Sequence, residues 1–221
     1  MAVRTIRSTR AVATRNRILD TAERLFAEYG VTAVSNRQIS EAAGQGNNTA
    51  VGYHFGTKVD LVRAIVRRHN EDVERRRLEM VERAADSLDP RDWVACLVHP
   101  IADHLAESGS PTWFARFGAQ VTTDPVLREI MYEESLSSPS LVRTLDGLQR
   151  CLPELPTEVK LERGAMTRQL IVHMFAERER ALAELTATPR ASWHDAASGL
   201  VDAIVGLWSA PVTPRNGPEP T

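Results

Sequence analysis

Ser35-Asn36-Arg37-Gln38-Ile39-Ser40-Glu41-Ala42-Ala43-Gly44-Gln45-Gly46-Asn47-Asn48-Thr49-Ala50-Val51-Gly52-Tyr53-His54-Phe55-Gly56 is the stretch that decides the architecture. Ser35 can cap a short helix, Asn36 to Ala43, with Ile39, Ala42 and Ala43 facing inward. Gly44-Gln45-Gly46 breaks that helix in a turn sharp enough to need glycine. Asn47 or Asn48 can cap a third short helix that runs to about Phe55. Gly56 ends it, and Thr57 can cap the next. Upstream, from Thr14, the residues Ile18, Ala22, Leu25, Phe26 and Tyr29 recur at helical spacing on one face, and Gly30 stands where a left-handed C-cap belongs. One helix followed by two short ones around a glycine turn describes a helix-turn-helix unit. Its last helix must enter a major groove about 12 Å wide, so its outer face should be small or polar. Asn47, Asn48, Thr49, Ala50 and Gly52 satisfy that. Asparagine can pair with adenine, and threonine and alanine methyls can touch thymine. Val51 and Phe55 are expected on the opposite face, against Ile39 and Phe26.

Downstream the chain reads as helix throughout. A long helix is expected from Lys58 to about Leu88, and Asp89-Pro90 starts another with Trp93, Leu97, Ile101 and Leu105 inward. After a loop at Ser108-Gly109-Ser110-Pro111 come a short helix from Trp113 to Thr122 and a longer one from Asp124-Pro125 to about Leu152. The longer one carries a possible break at Ser137-Ser138-Pro139. Pro153 and Pro156 mark a linker before two strong helices, about Thr157 to Leu185 and Ser192 to Trp208. No strand-like alternation is sustained and no internal repeat is visible. The expected fold is all-α with about nine helices. It divides into a flexible basic arm (1–12), a helix-turn-helix DNA-binding domain (13–57), a helical effector-binding and dimerisation domain (58–209) and a disordered tail (210–221) rich in Pro and Gly.

Charge sharpens this division. The net charge is -2, yet residues 1–17 hold five arginines and no acid. Through residue 58 there are eight Lys/Arg against four Asp/Glu, and the acids dominate afterwards. A basic head on an acidic body suggests that the head meets a polyanion. The arm could enter a minor groove or steer association loosely, and it could equally be a solvated tail. The longest apolar runs are interrupted by charge before a membrane span is reached, and the N-terminus lacks a signal-peptide core, so a cytoplasmic protein is expected. Two isolated cysteines, Cys96 and Cys151, read as small apolar core residues rather than a disulfide or zinc site.

Three runs together resemble the tetracycline-repressor (TetR) family of regulators. They are Ile18-Leu19-Asp20-Thr21-Ala22-Glu23-Arg24-Leu25-Phe26-Ala27-Glu28-Tyr29-Gly30, Ile39-Ser40-Glu41-Ala42-Ala43-Gly44, and Tyr53-His54-Phe55-Gly56-Thr57-Lys58-Val59-Asp60-Leu61. The last run is the most specific, and the match covers about residues 12–62. The resemblance implies a homodimer whose third helices enter successive major grooves of double-stranded DNA, a small-molecule pocket in the body, and release from DNA when that pocket fills. It places Tyr53, His54, Lys58, Ser35 and Arg37 at phosphate-contacting positions, and Asn48, Thr49 and Ala50 on the base-reading face. The turn at Gly44–Asn48 is one residue longer than the commonest family turn, and Gly52 stands where tyrosine is frequent. Both departures imply a distinct operator.

In the body, Trp93, His99, Trp113, Phe114, Phe117, Met131 and His173 are candidate pocket-lining residues, because aromatics with a few polar groups hold apolar or amphipathic ligands. Plain core packing is the competing reading for each. His99 and His104, five apart, do not share a helical face, so no metal site is expected, nor any cofactor. Leu170, Ile171, Met174, Leu182 and Leu185, followed by Ala196, Ala197, Leu200, Val201, Ile204 and Leu207, suggest a four-helix bundle across a two-fold axis. Intramolecular packing of the same stripe is the alternative. No phosphate loop, nucleophile elbow, zincin motif or paired catalytic carboxylates is present, so neither an enzyme nor a catalytic residue is expected. A helical interaction module without DNA binding is the other rival. It does not readily explain a basic arm and a polar third helix at one end. With no partner-recruiting segment visible, a repressor acting by steric exclusion is simpler than an activator.

Overall fold

The computed structural model describes residues 2–45 and 49–213, and the side chains of residues 2–10 and 136 are left aside. Asn47, Asn48 and most of the expected tail therefore lie outside the described residues. Among those described, ten helices form the fold. The head consists of α1 (Ala2–Tyr29), α2 (Asn36–Ala42) and α3 (Ala50–Phe55). The body consists of α4 (Lys58–Arg83), α5 (Pro90–Glu107), α6 (Phe114–Thr123), α7 (Pro125–Leu136), α8 (Pro139–Cys151), α9 (Thr157–Ala183) and α10 (Trp193–Ser209).

α1 begins at Ala2, so the residues read as a flexible arm continue the helix. Neither Gly nor Pro interrupts residues 1–29, and Ala and Arg are strong helix formers. The helix stops at Gly30, whose φ of +85° an L side chain rarely adopts. α2 opens with a reciprocal capping box between Ser35 and Gln38. α4 opens with a second one between Thr57 and Asp60. α4 ends at Arg83, short of the expected Leu88, which is exposed. The break foreseen near Ser137 is a full helix boundary: Ser138 caps α8, and Pro139 takes the first position, where its missing N–H costs nothing. Glu74 of α4 holds this junction by accepting from the Ser138 hydroxyl and from the Ser140 N–H and hydroxyl.

Two apolar cores organise the packing. The first joins Ile18, Ala22 and Phe26 of α1, Ile39 of α2, Val51 of α3, and Leu61, Val62 and Ile65 of α4 to Phe117 and Val121 of α6 and Ile130 of α7. The head is thus completed by body helices rather than closing on itself. The second core joins Trp93, Leu97 and Leu105 of α5, Leu148 of α8, Phe175 of α9, and Leu200, Val201 and Ile204 of α10. Cys96 is buried there, and burial pushes its thiol up to about 11, as an inert core residue requires. Tyr29 and Ala42, expected inward, are exposed, while Leu19 takes a core place. No helix among the described residues is long and apolar enough to cross a membrane.

Candidate nucleic-acid interface and its link to the body

α3 has six residues, so its phase decides which of them face outward. The helix begins at Ala50, with Thr49 rather than Asn47 or Asn48 at the cap position. Successive helical residues turn by about 100°, and Ala50 and Val51 both enter the first core. Ala50 is therefore a supporting residue, and its assignment to the base-reading face is corrected. Thr49, Gly52 and Tyr53 are exposed. Tyr53, at 84% exposure, projects its phenol free of the core, with its ring edge-on to His54 at 5.1 Å. His54 is half-buried and leans toward Phe55, whose other neighbour is the Arg15 guanidinium of α1, 4.8 Å from the ring centroid.

The remaining expected phosphate contacts have structural partners. The Ser35 hydroxyl accepts from the Gln38 N–H at 3.2 Å as the α2 cap. Arg37 is exposed and donates to Glu41 at 2.8 Å, a one-turn pair that holds the side chain only weakly in solvent. Lys58 donates to the Val31 carbonyl at 3.0 Å. One of its three protons thus ties the start of α4 to the turn after α1.

The body residues expected around one ligand cavity lie in separate places. Phe117 is fully buried in the first core, stacked on Phe26 of the head with centroids 6.2 Å apart. Met131 and Trp113 lean on the same core, and Trp113 also lies under the Arg116 guanidinium. Trp93 is buried in the second core and donates to the Ser87 carbonyl at 3.0 Å. His99 faces His194 of α10, and His173 is exposed on α9. An open groove of about 450 Å³ does exist elsewhere, between α1, the end of α3 and α4. It is lined in part by Arg15, His54, Arg63, Arg67 and Arg68. Three of those cations are already paired, Arg63 and Arg67 with Glu133 and Glu134 of α7 and Arg68 with Asp20 and Glu23 of α1.

A polar chain that the sequence did not reveal crosses from head to body. Glu23 of α1 meets His69 Nε2 at 2.8 Å, His69 Nδ1 meets His104 Nε2 of α5 at 2.7 Å, and His104 Nδ1 meets Asp72 of α4 at 2.9 Å. Phe114 stacks on His69 at 4.0 Å and stands edge-on to His104. Burial alone would raise Glu23, but His69 and Arg68 outweigh it and hold the carboxyl below its ordinary value. Asp72 is likewise held well below the carboxylate range, its desolvation outweighed by hydrogen bonds from Arg76, His104 and Arg75. Burial lowers His104. Carboxylates only accept, so the outer ring nitrogens must both carry protons, and the inner contact needs a third. A fourth proton would set N–H against N–H.

Comparison with known proteins agrees with this geometry. Residues 18–65 match the family model for bacterial regulatory proteins of the tetR family. Residues 95–206, just over half the chain, match the tetracyclin repressor-like C-terminal domain. No curated protein matches the chain. A solved TetR family transcriptional regulator, PfmR from Thermus thermophilus, is 18% identical, covering 90% of this chain and 98% of its own, with a TM-score of 0.49. With a helix-turn-helix head and a helical body that each match their family model, the chain belongs to the TetR family of DNA-binding transcriptional regulators.

Proposed function

We propose that the chain is a ligand-responsive repressor that binds a palindromic operator as a homodimer and is released by an apolar or amphipathic small molecule. The observation that carries the DNA-facing part is the exposure of Tyr53 beside Thr49 and Gly52 on α3, while Ala50 and Val51 anchor that helix in the core. A large aromatic left in solvent on a six-residue helix has little packing reason to be there, and its hydroxyl is a good phosphate donor. His54, Ser35 and Arg37 are assigned supporting phosphate contacts. Lys58 keeps two protons for phosphate after serving Val31, so its role is double. Asn47 and Asn48 keep their base-reading assignment from the sequence.

Dimerisation is assigned to the outer faces of α9 and α10. The inner stripe of α10 is spent on α5, whereas Leu161, Met166 and Met174 of α9 stand about half exposed or more. Unpaired apolar side chains of this kind, on a helix at the edge of the body, suit an isologous contact. Because α6 and α7 complete the head core, an effector that shifts either helix changes the spacing of the two heads, and with it the fraction of dimers that fit DNA.

Fluorescence anisotropy with duplexes from the chain's own upstream region tests this reading. Tyr53→Phe is expected to weaken binding about tenfold or more, the value of a hydrogen bond to a charged group, with the same order of sequence preference. Affinity should also fall steeply with salt. Wild-type binding no stronger to any such duplex than to bulk competitor would sink the proposal.

A further inference from the structure

We infer that His99, Asp103 and His194 form a binding site for a divalent transition-metal cation that clamps α10 onto α5. His99 and Asp103 are one turn apart on α5, and His194 reaches them from the first turn of α10. Each offers one ligand atom, and the three atoms lie within 4.8 Å of one another. The imidazoles of His99 and His194 face each other with centroids 4.6 Å apart. Two imidazoles and one carboxylate are the donor set of zinc, nickel and cobalt rather than of magnesium or calcium. A set of three leaves coordination positions open to water or a small anion.

A second observation points to a ligand. His99 Nδ1 is buried and has no hydrogen-bond partner. A buried polar atom without a partner is costly and uncommon, and it asks for an explanation. A cation held by His99 through this nitrogen would supply the missing partner. The single formal charge of Asp103 then offsets part of the cation's charge. Closing the cluster around an ion needs side-chain rotation of about 1 Å, since atoms bound at about 2 Å in tetrahedral geometry lie roughly 3.3 Å apart. The site sits where α10 starts, at a capping box formed by Ser192 and Asp195, so the helix end is already ordered to receive it.

The test uses the full chain, purified without a histidine tag and freed of metal. Zn²⁺ is titrated by calorimetry, and Co²⁺ is followed by its visible ligand-field absorption. The expected result is one ion bound per chain at this site, with a rise in Tm. His194→Ala, at an exposed position, and Asp103→Asn should each weaken that binding by at least about tenfold, the scale on which metal sites respond to loss of supporting groups. Both variants should retain the wild-type circular-dichroism spectrum. Failure of the wild-type chain to bind either ion, or binding unchanged in both variants, overturns the inference.

Discussion

Replacing Phe117 by alanine separates two readings of the same side chain. Aromatic content in the body marks Phe117 as a candidate pocket wall, whereas the structure buries it completely against Phe26 of the head. A pocket wall can be truncated at modest cost, because a cavity already lies on one side of it. A filled core position cannot. Phe→Ala in a packed core costs about 3–5 kcal/mol, and the stacked pair with Phe26 adds about 0.5–1.5 kcal/mol. Stabilities of whole domains are of the order of 5–15 kcal/mol, so the loss is a large share. It corresponds to a Tm lower by very roughly 6–20 °C for a chain of this size. Urea unfolding of wild type, Phe117→Ala, Phe26→Ala and the double variant gives the coupling energy directly. The two residues should couple by about 0.5 kcal/mol or more. Operator affinity should fall with Phe117→Ala even where the folded fraction is high, because α6 no longer braces α1. A loss below about 1 kcal/mol with operator binding intact and effector response abolished would refute the core reading and restore the pocket.

Acid should weaken the head-to-body chain. Glu23, Asp72, Glu74 and His104 all lie below their ordinary values. Each depressed group contributes stability that is present above its unfolded pKa and lost as pH falls toward the folded one. His104, with an ordinary value near 6.5, acts first, and the carboxylates follow below about 4.5. Around the ring pair stand Glu23 and Asp20 with Arg68 from α1 and α4, Asp72, Arg75 and Arg76 from α4, and Glu107 from α5. Urea midpoints measured from pH 7.5 downward should fall already between about pH 6.5 and 5, and His104→Gln should flatten that limb; a flat wild-type profile there contradicts the assignment. Gly147→Ala tests the other core. An added Cβ would lie 2.3 Å from the Trp93 indole, so a destabilisation at or above the usual overpacking cost of about 1–3 kcal/mol is expected in thermal melts. An unchanged Tm would show that α8 can retreat from α5.

Which features were legible in the sequence follows from the range of the interactions that make them. Helix boundaries are local. Gly30, Gly44 and Gly56 all adopt positive φ, and Ser35, Thr57 and Asp89 all cap helices, so these boundaries in head and body could be read from the residues that make them. The phase of α3 was not legible, because Asn47, Asn48 and Thr49 all offer a cap and six residues carry too little periodicity to show which face meets the core; Thr49 takes the cap position and Ala50 the core. The body was legible as helices but not as a site. Phe114 and Phe117 look alike in sequence, yet one stacks on a histidine 45 residues back along the chain and the other on the DNA-binding head. The histidines show the same limit more sharply. His99 and His104, five apart on α5, each meet a distant residue: His99 meets His194 on α10, and His104 meets His69 on α4.

That separation bears on how the molecule can switch. Division of the chain at residue 57 treats the head as a unit that is merely carried by α4. The first core contradicts such independence, since Phe117, Val121 and Ile130 of the body fill places in it that no head residue fills. Glu23, His69 and His104 add a polar strand of contacts beside that core. A head joined through two side faces, as well as through α4, cannot swing freely about one hinge. On the proposed ligand-responsive reading, an effector would need no lever arm in α4. On that reading a displacement of α6 against α9, where buried Glu179 accepts from the N–H groups of Ala115 and Arg116, would reach the head directly through the Phe117–Phe26 contact.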